Sequence, residues 1–458
     1  MKTINGYDVK IFTDNIEDTA LQQIRQLLSI DVFSDCKIRI MPDVHAGAGC
    51  VIGFTGNLGD KVIPNIVGVD IGCGMLVQPL SCNTSIDFHA LNEYILRAIP
   101  SGRDFRDENY LPLPQKYSVL YQNAKQLILQ LHCYRELKEV RRLYKSIGSL
   151  GGGNHFIELD RNESGLYYLV VHTGSRNLGK QVADIYQKLA IKCQSGWDKL
   201  MEEKNRIIAE YKQDGRKNEL QDVIRNLHNS FKTCKLNIPQ DLCYLKGQFR
   251  EDYLHDMLIC QSWAQINRKL IVNLIMDYMM KQGIIIAEKL HESFETVHNY
   301  IGSDNIIRKG AISARSGEKC IIPLNMRDGS LICIGKGNED WNCSAPHGAG
   351  RIMGRSQAFK KISLEDFKKS MTEVYSETIT EATKDEAPMV YKPKDEIIQN
   401  IQDTVTIETI IKPVFNFKAA TLSKILCKWK QDSVVSLFLY LNSVFKHKHK
   451  LIHNQAPV

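Results

Sequence analysis

The stretch Gly337–Arg351 reads "GNEDWNCSAPHGAGR". One histidine, His347, stands between Pro346 and the turn Gly348-Ala349-Gly350, with Arg351 next and Arg355 a helical turn further on. Proline fixes a backbone angle and glycine admits conformations closed to other residues, so the chain is shaped tightly around one imidazole. Such a turn lets a bulky phosphate approach closely, and its backbone N–H groups can hold phosphate oxygens. Arg351 and Arg355 could add bidentate phosphate contacts, and a neutral imidazole can attack phosphorus as a nucleophile. The structural alternative is a histidine that serves only the turn.

Outward from this stretch, residues 301–359 read as short strands and glycine turns, 363–382 as helix, and "TVTIETIIKPVFNFKA" (404–419) as strand. Residues 1–110 are rich in β-like runs broken by Gly, Pro and Asn, such as "CKIRIMPDVHAGAGCVIGFTG". Residues 115–146 carry Leu at helical spacing, and 180–300 read as mostly helical. The pattern predicts an α+β fold: one domain over 1–419, with a helical insertion over about 180–290. A C-terminal extension, 420–458, is apolar and then basic. Its run "SVVSLFLYLNSVF" (433–445) is shorter than the ~18–20 residues that span a bilayer. The "KHKHKLIH" after it could touch anionic surfaces, or the segment could be a helix covered by a partner.

The 458 residues, 43% hydrophobic, suffice for a sizeable core. A net charge of +7 permits a polyanionic partner without demanding one. Thirteen cysteines without a C-x-x-C pair fit neither a disulfide framework nor a zinc ribbon. With no apolar leader at the N-terminus, they point to buried thiols in a reducing, cytoplasmic setting.

Four further motifs carry candidate ligands. "VGVDIGCGM" (67–75) puts Asp70 and Cys73 three apart in a glycine-rich strand-to-turn segment, where a carboxylate and a thiol can converge. In "GGGNHFIEL" (151–159) a following strand would point Asn154 and His155 to opposite faces, one to a ligand and the other to a metal. "VVHTGSRNLG" (170–179) ends an apolar strand on His172, a usual place for site residues in α/β proteins. "KLHESFETVHNYIG" (289–302) reads as a helix with His291, Glu295 and His298 on one face. Of these His298, near a helix end, is the candidate, and the other two read as surface residues. Each motif alone has a structural reading: a turn with a buried cysteine, a satisfied strand-end histidine, a solvated helix face. Together Asp70, Cys73, His155, His172 and His298 form a mixed O, S and N set that does not select zinc, and a thiolate can bridge two metals.

These residues together resemble the RtcB family of RNA ligases. "MPDVHAGAG" (41–49), "VGVDIGCGM", "GGGNHFIEL", "VVHTGSRNLG", "HNY" (298–300), "RKGA" (308–311) and "SAPHGAGR" (344–351) occur in the family's order, and the resemblance runs from about residue 5 to 419. It implies a single catalytic domain of mixed β-sheets with surrounding helices. It further implies joining of an RNA 3′-phosphate or 2′,3′-cyclic phosphate to a 5′-hydroxyl, with GTP and two Mn²⁺ ions, in tRNA splicing or RNA repair. His347 would take GMP covalently and pass it to the RNA 3′-phosphate. The metal ligands would be Asp70, Cys73, His155, His172 and His298, with Cys73 between both ions. Guanylate contacts would come from Asn154, His155, Phe156, Ile157 and Glu158, from His298 and Asn299, and from Pro323, Leu324, Asn325, Met326 and Ser330. His347, Gly348, Ala349, Gly350, Tyr391 and Lys418 complete that set, and Asp43 matches a position near the reacting RNA end. Partners would be RNA and an activating protein, around a monomeric catalytic unit without a membrane span. Two departures stand out: in "PLNMRDGS" (323–330) Leu324 and Arg327 replace glycines of the family's "PGSMG" turn, and about 40 residues follow Lys418. The rival reading is a binuclear metal phosphoesterase or nuclease, which explains the ligand set but not the turn at His347.

Overall fold

The computed structural model of the protein describes residues 1–232 and 234–419; the apolar run 433–445 and the basic cluster after it lie outside the described residues. Two sheets carry the α+β architecture. The first has six strands in the spatial order Lys2–Thr3, Val9–Ile11, Ile38–His45, Ile52–Asn57, Ile306–Lys309, Asn299–Ile301. Only Val9–Ile11 and Ile38–His45 pair in parallel. The second, of eight strands, runs Ile285–Leu290, Gly74–Cys82, Tyr167–Thr173, Phe156–Arg161, Val405–Lys418, Gly329–Gly335, Lys319–Asn325, with Phe294–Val297 also on Gly74–Cys82. All its pairings are antiparallel. Val405–Lys418 shows how sequence sets this layout. Its first half alternates exposed and covered residues, as a strand with one wet face must, and Phe415–Lys418 are all buried.

The register of the second sheet decides where the site lies. Gly74 pairs with both Thr173 and Val297, and Phe156 pairs with His172. The start of one strand therefore meets the ends of two others and the start of a fourth. Cys73, His155, His172 and His298 sit at those four junctions. His172 is at a strand's C-terminal end as read, but in an antiparallel sheet, so its place follows from register and not from the α/β rule. Asp70 and Cys73 lie in the turn before Gly74–Cys82, so turn precedes strand there.

The reading of 289–302 as a helix is overturned. Helix ends at Lys281, and Ile285–Leu290, Phe294–Val297 and Asn299–Ile301 are strands. The spacing of His291, Glu295 and His298 mimics a helical face. Yet Phe294–Val297 pairs with Gly74–Val77, a partner more than 200 residues away that local periodicity does not see. Two helices, Asp18–Leu28 and Phe88–Ala98, also stand within the region read as β-rich. The second has a capping signal: the Asp87 side chain accepts from the Ala90 N–H at 3.0 Å. In 363–382 only Leu364–Ser370 is α-helical.

Behind the second sheet runs the helix Gly247–Lys281, 35 residues and about 52 Å long. It ends in a Schellman turn: Gly283, at φ 70°, donates to the Met280 carbonyl and Ile284 to that of Met279. Tyr253, Met257, Trp263 and Leu270 enter one hydrophobic core, and Ile271, Ile275 and Met279 a second. Between these apolar stretches come two polar buried residues. Asn267 accepts from the Gly148 and Ser149 N–H groups (2.7 and 3.2 Å) and donates to the carbonyls of Ser149 and Gly174 (3.0 and 3.3 Å). Arg268 donates to the Gly72 and Thr173 carbonyls, both at 2.7 Å, and to Glu295 at 2.6 Å. Among the described residues no helix is long and apolar enough to cross a membrane, and the cysteines are free and mostly buried.

Arg268→Met is expected to destabilise the fold by about 3 kcal/mol, the lower part of the range for breaking a buried ion pair, because Glu295 keeps some water. Denaturant unfolding of the variant against the parent measures it.

Candidate active site

Five side chains meet at the strand junctions. Cys73 Sγ is 3.3 Å from His155 Nε2 and 3.4 Å from His172 Nε2. On one side His155 Nε2 lies 2.9 Å from Asp70 Oδ2; on the other, His172 Nε2 lies 3.4 Å from His298 Nε2. All but Asp70 are buried. Gly174 makes room for Asp70, since a Cβ there would overlap its carboxylate.

The contacts of this cluster suit a cation. His172 Nδ1 is held by the Asn154 carbonyl at 3.0 Å, so it carries the proton and Nε2 presents a lone pair toward His298. Burial, and then neighbouring His155, pushes His172 well below the usual histidine range; burial and His347 do the same to His298. Neutral imidazoles are the ligating form. Burial, then the Asp70 charge, raises the Cys73 thiol, which a cation would reverse. Asp70 Oδ1, His155 Nδ1 and His298 Nδ1 are buried without a hydrogen-bond partner in the structure. Lone pairs from N, O and S facing one another in a dry site suit divalent metal ions.

His347 borders this cluster, its ring centroid 5.0 Å from that of His298. It is not a free imidazole. Nδ1 lies 2.6 Å from Oδ2 of the fully buried Asp43, which also accepts from the His347 backbone N–H at 3.1 Å. In the neutral ring, this contact favours the tautomer with the proton on Nδ1 and the lone pair on Nε2. Gly350, at φ 75°, packs where a Cβ would overlap the Asp43 backbone. Asp43, which the resemblance sets near a reacting RNA end, lies against His347 here.

Beyond His347 opens a cavity of about 190 Å³. Of the residues expected at a nucleotide, Asn154, Phe156, Glu158, Pro323, Leu324, Asn325 and Met326 line it, as do His347 to Gly350, Tyr391 and Lys418. His155 and His298 face the five-residue cluster instead. Ile157 packs into the hydrophobic core, because strand alternation sends it to the opposite face from Phe156 and Glu158. Asn299 ties loops together, accepting from the Gly310 N–H at 2.9 Å and donating to the Asp70 carbonyl at 3.3 Å. Ser330 is fully buried within the sheet, outside the lining. At the departure from the family turn, Leu324 is buried and forms part of the wall. Arg327 is held off it by Asp328 at 2.9 Å.

The cavity floor is charged. Glu386 takes Lys418 Nζ at 3.0 Å, the Tyr391 hydroxyl at 2.7 Å and Arg355 at 3.0 Å. Burial alone would raise this carboxyl, but Lys418, Arg355 and Arg351 overcome it and hold it at about 2. Glu158 has fewer partners. Burial pushes it up to about 7 against Lys418 and an Asn416 bond of 2.6 Å. Arg351 and Arg355 thus line the cavity while already engaged with Glu386 and Asp385. His45, another lining residue, and Glu386 were missed from sequence. His45 stands in the quoted "MPDVHAGAG", while Glu386 belongs to no motif.

A family model described as "tRNA-splicing ligase RtcB" matches residues 23–419. "RNA-splicing ligase RtcB" of Escherichia coli K12 is 30% identical over 442 residues, spanning 90% of this chain and 97% of that protein. "RNA-splicing ligase RtcB1" of a second Escherichia coli strain is 29% identical with the same coverage. "tRNA-splicing ligase RtcB" of Nanoarchaeum equitans is 26% identical over 84% of this chain and 87% of its own. With the cluster, the held histidine and the adjoining cavity in place, the chain belongs to the RtcB family of RNA ligases.

Proposed function

We propose that residues 1–419 are a GTP- and Mn²⁺-dependent catalytic unit that joins RNA 3′-phosphate or 2′,3′-cyclic phosphate ends to 5′-hydroxyl ends. It would act as a monomer in the cytoplasm, on tRNA halves or broken RNA. The observation that carries this reading is His347: its Nδ1 is bound to Asp43 and its ring stands between the five-residue cluster and a cavity.

Two divalent ions would supply charge neutralisation and activation at phosphorus when bound. Asp70 and His155 would hold one, His172 and His298 the other. The near-equal approach of Cys73 Sγ to His155 and His172 supports a thiolate shared by both. His347 Nε2 attacks the α-phosphorus of GTP, the bond to pyrophosphate breaks, and GMP is left on the imidazole. Asp43 keeps Nδ1–H in place and balances the positive charge that grows on the ring. The RNA 3′-phosphate then takes GMP from His347, the 5′-hydroxyl attacks the activated end, and GMP leaves. A cyclic end is first opened to the 3′-phosphate. Lys418, Tyr391 and Glu158 would hold guanine, with Glu158 accepting from the base's N–H groups.

Incubation with GTP labelled at the α-phosphate tests this. An acid-labile protein–GMP adduct is expected, and none from His347→Ala, which should retain metal and fold; a persistent adduct in that variant would remove the assignment. A binuclear nuclease would give no adduct with the parent chain either. Asp43→Asn should slow adduct formation by about 10²-fold or more while leaving metal content intact. Cys73→Ser should weaken both ions, so a titration that loses one and keeps the other would argue against sharing. Because Glu158 sits near 7 and accepts N–H donors on both oxygens, with a full charge, only when ionised, GTP affinity should fall as pH drops through 7 and level off above it. Glu158→Gln should flatten that profile. It should also cost roughly 10- to 100-fold in preference for GTP over ATP, the worth of one charge-assisted hydrogen bond. Titration calorimetry on either side of pH 7 reads both.

A further inference from the structure

A second group of ligand-type side chains lies outside the catalytic cluster, where the turn after the helix Ser118–Leu129 meets the helix Gly247–Lys281. His132 stands in the turn, and Asp252, His255 and Asp256 on the helix. One ring nitrogen of each histidine and one oxygen of Asp256 lie within 4.8 Å of one another, and the two ring centroids are 4.5 Å apart.

The hydrogen bonds around Asp256 separate this group from a chance pair of surface histidines. Its carboxylate is fully buried. Oδ2 accepts from the Cys133 N–H at 3.0 Å and the Tyr186 hydroxyl at 2.8 Å. Oδ1 accepts from the His132 backbone N–H at 2.9 Å and lies 3.0 Å from His255 Nδ1. One carboxylate thus pins the backbone of the first histidine and sets the proton of the second on Nδ1. That leaves His255 Nε2 with a lone pair, the carboxylate–histidine arrangement that orients metal-binding imidazoles. Asp252, one turn back on the helix, puts Oδ1 3.9 Å from His132 Nε2, too far for a hydrogen bond. Gln248 holds that same oxygen at 2.8 Å. The side chains of His132 and His255 are about half exposed (52% and 45%), so an ion can enter from solvent.

We infer that His132, His255 and Asp252, with Asp256 orienting them, form a peripheral site for a borderline divalent cation of the Zn²⁺, Co²⁺ or Ni²⁺ class. Two imidazoles select such ions over Mg²⁺ or Ca²⁺, and three protein ligands leave a position for water. Asp252 leaves the complex a single positive charge, which the exposed setting tolerates. The bound ion clamps the turn to the long helix about 20 Å from Arg268, and so strengthens the frame without entering the chemistry.

The test uses the full chain, titrated with ZnCl₂ and CoCl₂ beside a His132→Ala/His255→Ala double variant. The double variant should bind one equivalent fewer and lose part of the visible Co²⁺ absorption. RNA joining with GTP and Mn²⁺ should be unchanged. Each single replacement, and Asp252→Asn, should raise the dissociation constant of that equivalent about tenfold or more. In a Cys73→Ser background the same equivalent should persist, which places it outside the catalytic cluster. Equal stoichiometry and equal Co²⁺ spectra in the parent and the double variant would overturn the proposal and leave two surface histidines only.

Discussion

Arg268 sets one buried guanidinium against the carbonyls of Gly72 and Thr173 and the carboxylate of Glu295. Those three residues belong to the segments that carry Cys73, His172 and His298. Asn267, its neighbour in sequence, closes the remaining gap to the Gly148–Ser149 loop that leads toward His155. Loops with glycines at their turns have no intrinsic reason to hold one shape. A carbonyl buried without a donor is costly, so each loop is confined to the position where Asn267 or Arg268 can reach it. The side chains of the cluster face one another because the backbones behind them are tied to one long helix.

The same logic recurs at two histidines of the site, His172 and His347. An acceptor holds one ring nitrogen and so decides what the other can do. The Asn154 carbonyl does this for His172, and the Asp43 carboxylate for His347. A carbonyl leaves a neutral ligand suited to a cation. A buried carboxylate adds a negative charge that favours positive charge on the ring. Beside the cavity, Glu386 saturates its charge with Lys418, Arg351 and Arg355, while Glu158 has fewer partners.

Much of this was legible in the sequence. Glycine-flanked Asp70, Cys73, His155, His172 and His347 stood out because backbone that must approach closely leaves glycine in fixed places. The α+β class followed from the mixture of strand-like and helix-like runs. The misreading fell at His291–His298, where three polar residues at helical spacing lie in a strand-rich segment whose partner strand begins at Gly74. Ile157 was placed at the nucleotide because its neighbours were, yet alternation turns it into the core.

What the sequence determined by itself was the inventory of chemistry and its backbone setting: which residues can ligate, which histidine sits in a tight glycine turn, and where polar and apolar faces alternate. Those are local properties, written in adjacent residues. The tertiary structure alone decided the pairings across long separations: Asp43 with His347, Lys418 with Glu386, and Arg268 with the carbonyls of two loops. None of these has a spacing rule, because a hydrogen bond between residues 32 to 304 positions apart depends on how two sheets and one long helix pack. The protonation states that make the site work depend on those contacts, and so they became readable only with the fold.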